Sequence, residues 1–131
     1  MAIFCDKLVL FVNKPGENKW RFPGGFAEPP SPSYEDDAIR ESLEETSLHC
    51  QNPQYIGSFR IDDWRYRGEV DSIKTIFFAL ETCDKKEVAV ARDDVHKCGW
   101  FDPNKMTADD VEEEHIPLLL ALQKYINNNK K

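Results

Sequence analysis

Three glutamates crowded onto one turn of a helix restrict this chain more than any other feature. The segment opens Pro23-Gly24-Gly25-Phe26-Ala27-Glu28, continues through Pro29, Pro30 and Pro32, and then runs from Tyr34 to Leu48. Each proline fixes φ and turns the residue before it away from helix, so 29–33 reads as an extended loop. Ser33 suits the N-cap of the helix that follows. Within that helix Glu41, Glu44 and Glu45 stand at i, i+3 and i+4, so their side chains meet on one face. Ala38, Ile39, Ser42, Leu43 and Thr46 fall roughly opposite, which puts the glutamates on the expected solvent face. Like charges at this spacing cost an isolated helix a few tenths of a kcal/mol per pair. A bare acidic triplet is usually a solvated face. Its other reading is a site for a hard divalent cation, which prefers oxygen ligands.

The neighbouring residues favour the second reading. The Gly-Gly turn, the acid-rich helix and Arg40-Glu41-x-x-Glu44-Glu45 together resemble the Nudix box. That pattern runs Gly, five residues, Glu, seven residues, Arg-Glu, an apolar residue, any residue, Glu-Glu, any residue, Gly, an apolar residue. Gly25 matches its opening, and Arg40, Glu41, Glu44, Glu45 and Leu48 match its second half. The chain departs from it before the helix, where Gly25 to Arg40 is one residue longer and Ser31 or Pro32 replaces the middle Glu. It also departs at Ser42, where an apolar residue is usual, and at Ser47, which replaces the closing Gly.

The resemblance implies an α/β fold, a Nudix-type α/β/α sandwich with a mixed, strongly curved central sheet. It implies Mg²⁺ or Mn²⁺ held by Glu41, Glu44, Glu45 and the Gly24 carbonyl, with Arg40 orienting the carboxylates. The reaction implied is hydrolysis of a nucleoside diphosphate linked to another group X, by in-line attack of water on phosphorus. In several family members the general base lies on a loop before a strand bearing an aromatic residue. Here that strand carries Trp100, and Asp93 or Asp94 precedes it, with Asp94 the candidate base. Glu112, Glu113 and Glu114 are a second source of a base. The middle Glu helps to hold the family's site around the Arg. Its absence leaves two other readings: a weak or inactive nucleotide-binding module, and a cation-binding protein without phosphate chemistry. If another acid replaces it beside Arg40, Asp36 at i−4 is the favoured partner, ahead of Glu35 and Glu44.

Substrate recognition is suggested twice. Trp20-Arg21-Phe22 leads into the Gly-Gly turn, and Arg60 precedes an aromatic, cationic stretch with Trp64, Arg65, Tyr66 and Arg67. Aromatic rings stack on bases, and Arg contacts phosphate with two donors at once. Packing in the core is the competing role for Trp20 and Phe22. His49, His96 and His115 stand apart from one another and from the cysteines, and receive no chemical role.

At 131 residues the chain suits one domain, 1–131, with 127–131 a frayed tail. It is 40% hydrophobic and 31% charged, as ordinary globular proteins are. Its longest apolar run, near Leu118–Leu122, is too short to span a membrane. No N-terminal signal pattern is visible. The four cysteines have no metal spacing, as expected for reduced thiols in the cytoplasm. A net charge of −7 disfavours long nucleic acid but not a nucleotide bound through a metal. The expected partner is a small-molecule nucleotide, with a homodimer left open.

Strands are expected over Ala2–Asn13 with a break at Asp6-Lys7, Trp20–Phe22, Gln54–Asp62, Ser72–Thr82, Val88–Ala91 and Lys97–Asp102. A last helix is expected over Glu113–Ile126, with Pro117 in its first turn.

Overall fold

Alternating apolar residues in the strands build two cores, one on each face of a sheet. The computed structural model describes residues 1–24, 30–61, 73–82, 84, 86, 89–90 and 97–129. Five strands, β1 (Ala2–Cys5), β2 (Leu8–Asn13), β3 (Cys50–Ile61), β4 (Ile73–Thr82) and β5 (Lys97–Phe101), form a mixed sheet in the order β3-β4-β1-β2-β5. Among these five strands only the β1–β4 pairing is parallel. Successive residues point to opposite faces of a strand. Ala2, Val9, Phe11 and Phe77 thus enter a core with Leu118, Leu119 and Leu122 of helix α2 (Ile116–Asn128). Ile3, Leu10, Phe78 and Leu80 enter the other, with Ala38 of helix α1 (Tyr34–Thr46) and Leu48. The expected α/β/α sandwich is observed, with one helix on each face.

The break at Asp6-Lys7 is a two-residue hairpin, and Asp6 lies in the left-handed region at φ 57°, which Asp tolerates better than most residues. Strand β3 begins four residues before its expected start, at Cys50 rather than Gln54, and three further expectations change. Trp20–Phe22 is not a strand; it makes only single bridges, Arg21 to Val12 and Trp20 to Val111. Ala89 and Val90 lie outside any strand, and the Val90 N–H instead donates to the Thr46 carbonyl at the end of α1 (3.0 Å). The last helix starts later and ends later than expected. Glu113–His115 is a separate 3-10 turn, and α2 continues to Asn128. Among the described residues no helix is long and apolar enough to cross a membrane.

Both ends of α1 follow from local chemistry. Ser33 is extended and its hydroxyl accepts from the Asp36 N–H, as an N-cap does. Ser47 ends the helix at φ 67°, with its N–H donating to the Leu43 carbonyl (3.0 Å). This left-handed cap is the conformation that glycine adopts without penalty. Ser47→Gly is therefore expected to raise stability by about 1 kcal/mol, read as a shift of the denaturant midpoint without a change in slope.

Candidate active site

Glu45 is the most buried acid of the candidate site, and it lies inside the protein. Only 4% of it is exposed, although the helical pattern placed it on the solvent face. The reason is the small stripe Ala38, Ser42 and Thr46, which packs α1 down onto the sheet and carries Glu45 in with it. The two hydroxyls bury at low cost because each donates to its own helix, Ser42 to the Ala38 carbonyl (2.8 Å) and Thr46 to the Ser42 carbonyl. Leu43, read as inward-facing, is 38% exposed instead.

The Glu45 carboxylate accepts from the Gly24 N–H at 2.8 Å. Burial pushes its pKa up to about 7, and the nearby Glu41 charge adds to the rise. Lys14, which sequence reading did not single out, and the Gly24 hydrogen bond partly offset it. Cys98 on β5 faces the same carboxylate, and burial first, then Glu45, pushes its thiol up to about 11. Lys14 and Cys98 left no sequence signal, because only the folded sheet brings the end of β2 and the start of β5 to the helix.

Arg40 organises the outer part. Its guanidinium donates to Glu41 (2.9 Å), Glu44 (3.0 Å) and Asp37 (3.3 Å). The expected partner Asp36 is instead engaged by the cap, where its carboxylate accepts from the Ser33 hydroxyl (2.9 Å). Asp37, buried at i−3, thus stands where the absent middle acid would have held the Arg. Asp37→Ala is expected to lower kcat several-fold through misplacement of Glu41 and Glu44. Asp36→Ala is expected to cost stability of about 0.5–1 kcal/mol with kcat unchanged. Turnover and thermal midpoint of the two variants check this. Equal kcat in both would remove Asp37 from the site.

The donor set suits a hard divalent ion, since buried Glu45 and neighbouring Glu41 repel each other and a cation would relieve both. The carboxylates are not gathered for one in this arrangement. Among the described residues, no three His, Cys, Asp or Glu side chains stand close enough to hold an ion. Ligation by all three glutamates requires Glu41 and Glu44 to turn from Arg40. At Gly24 a Cβ would meet no described residue within 4 Å, so among the described residues there is room beside this backbone.

The expected recognition residues separate. Arg21 is buried within a protein ion cluster and has no surface to offer a ligand. Trp20 packs on Phe101, ring centroids 4.9 Å apart, under the Lys97 ammonium. Arg60 is exposed on β3, directly across from Lys74. Trp64, Arg65, Tyr66, Arg67 and Asp94 lie outside the described residues.

The comparisons with known proteins agree with this architecture. The NUDIX domain family matches residues 2–122. The solution structure of the E. coli ORF135 protein has a TM-score of 0.71 at 22% identity, covering 98% of this chain and 89% of that one. A NUDIX hydrolase from Nitrosomonas europaea gives 0.76 at 18%, covering 98% and 68%. An ADP-ribose pyrophosphatase from Streptococcus suis gives 0.70 at 16%, covering 99% and 88%. At these identities the structures show a shared fold. No protein of curated function matches the chain. Because the family match spans nearly all of the residues that build the two cores and the glutamate helix, the protein belongs to the Nudix family, as a hydrolase of phosphoanhydride bonds.

Proposed function

We propose that the protein is a divalent-metal-dependent pyrophosphohydrolase that cleaves a nucleoside diphosphate linked to a further group X. The observation that carries this is buried Glu45, held by the Gly24 N–H and facing both Glu41 and Lys14. A carboxylate that costly to ionise implies a positive partner in the working state. Mg²⁺ or Mn²⁺, with Glu41, Glu44, Glu45 and the Gly24 carbonyl as ligands, would neutralise phosphate charge and make water a better nucleophile. The chain's own contribution is rigidity. The packed face of α1 fixes Glu45, Arg40 holds Glu41 and Glu44 beside it until a cation draws them away, and the space at Gly24 admits a phosphate close to the backbone. Arg60 and Lys74, two cations side by side, suit a second phosphate or the far end of X. Small nucleotides are the substrate class, and ADP-ribose belongs in the first panel because one structural neighbour is named for it. Product release from a panel of nucleoside diphosphate derivatives, dinucleoside polyphosphates and nucleoside triphosphates, with Mg²⁺ and with Mn²⁺, tests the proposal. No turnover on any of them would overturn it.

One observation favours a second reading, a nucleotide-binding module with little turnover. Arg40 already neutralises Glu41 and Glu44, leaving these carboxylates less need of a metal. A nucleotide that raises the melting temperature without being hydrolysed would select that reading.

A further inference from the structure

We infer that His115 is a positioning residue for the active site, acting on Gly24 through the backbone of the Trp20–Gly24 segment together with Arg21. The inference rests on the reading of Gly24 and Glu45 as parts of the hydrolytic site. The segment is not a strand, so its place must come from specific contacts on both sides. Towards β2, the Val12 N–H donates to the Arg21 carbonyl (2.8 Å) and the Arg21 N–H to the Val12 carbonyl (2.9 Å). Towards the approach to α2, the Trp20 N–H donates to the Asp110 carbonyl (3.0 Å) and the Glu112 N–H to the Trp20 carbonyl (2.8 Å).

Beyond Arg21 the backbone pattern stops and side chains take over. The Phe22 N–H donates to His115 Nδ1 at 3.0 Å, and the two rings stack at 5.9 Å with 15° between their planes. Arg21 Nη1 lies 3.2 Å from His115 Nε2, and Arg21 Nη2 donates to Glu114 at 2.8 Å. The Pro23 carbonyl accepts from the Met1 nitrogen at 2.6 Å. Two residues after Phe22, the Gly24 N–H makes its bond to Glu45. A chain of short contacts thus runs from the start of α2 to the buried carboxylate. Because Nδ1 faces a backbone N–H, it must be the ring's acceptor, which puts the ring proton on Nε2 and makes the Arg21 approach a packing contact rather than a hydrogen bond. A histidine 91 residues from Gly24 in sequence, given no chemistry by its neighbours, is therefore tied to the site through a defined nitrogen.

Two substitutions separate the nitrogens. His115→Asn places an amide oxygen near the position of Nδ1 and keeps an acceptor for Phe22. His115→Gln reaches towards the position of Nε2 and leaves the Phe22 N–H without one. Hydrogen exchange at the Gly24 amide, followed by NMR without added metal, reads the positioning directly, and steady-state kinetics on the best substrate of the panel read its consequence. The Gln variant is expected to exchange at Gly24 about tenfold faster than wild type and to lose about tenfold in kcat, with KM little changed. The Asn variant is expected to stay near wild type in both. Equal Gly24 exchange in the two variants would overturn the inference. If exchange differs as expected while kcat does not, the contact to Gly24 stands and its consequence for turnover is overturned, whereas the role of Glu45 itself falls only if Glu45→Gln keeps the wild-type rate.

Discussion

Glu45→Gln is expected to lose at least about tenfold in turnover while the protein becomes more stable than wild type at pH 8, since loss even of a ligand's supporting partner costs about 10–100-fold. Gln keeps a carbonyl oxygen for the Gly24 N–H and fills the same volume, so the fold loses little. It removes a charge that the wild type must bury. The carboxylate titrates near 7 when folded, through burial first and then Glu41, against an ordinary 4.5. Holding it ionised in the folded protein therefore costs up to about 3 kcal/mol.

The sign follows from the proton count. Below pH 4.5 both folded and unfolded states hold the proton, and Glu45 brings no penalty. Between 4.5 and 7 the unfolded chain has released it while the folded chain retains it, so stability falls as pH rises. Above 7 the penalty is complete. The melting temperature of wild type relative to Glu45→Gln should therefore drop from pH 4.5 to pH 8, and Mg²⁺ or Mn²⁺ should restore it at the upper end. Glu44→Gln is the control, because that side chain is 48% exposed and its removal should reduce turnover with a nearly constant melting temperature. Wild-type rates in both variants would sink the assignment of the glutamates. A pH-independent difference in melting temperature would show that Glu45 is not the buried acid described.

The sheet and its two helices were legible because consecutive apolar residues such as Phe77 and Phe78 report a strand with both faces covered. The Ser33 cap and the helix it starts were legible for the same local reason. What was not legible is which way that helix faces. Side-chain polarity alone ranks Leu43 above Ser42 for burial, yet closeness of approach decided the contact, and small residues that bond to their own helix won. Turning the helix by that amount moved Glu45 inside. Arg40's partner was misassigned because Asp36 was already satisfied by Ser33, a competition that spacing does not reveal. The role of His115 was hidden for a different reason, since Phe22 meets it only after the chain has passed through every strand of the sheet.

Arg21→Ala is expected to cost about 3–5 kcal/mol of stability, the largest effect of any single change considered, because it strands buried carboxylates. The guanidinium is 1% exposed and lies between Glu17 and Glu114, whose side chains are 11% and 6% exposed. It donates through Nε (2.9 Å) and Nη2 to Glu17, and through Nη2 to Glu114. Burial alone would lower its pKa, but these carboxylates outweigh that and hold it above the ordinary arginine value. Lys offers one compact charge where the site uses a planar fork, so Arg21→Lys should recover only part of the loss. Replacing all three charges together, as Arg21→Met with Glu17→Gln and Glu114→Gln, should be far less destabilising than Arg21→Ala, since no unpaired charge then remains inside. Denaturant midpoints of the three variants test this, with KM measured on whichever of them stay folded. A substrate contact would show the opposite pattern, a raised KM at an unchanged midpoint, and that result would return Arg21 to the binding surface where its place before the Gly-Gly turn first suggested it.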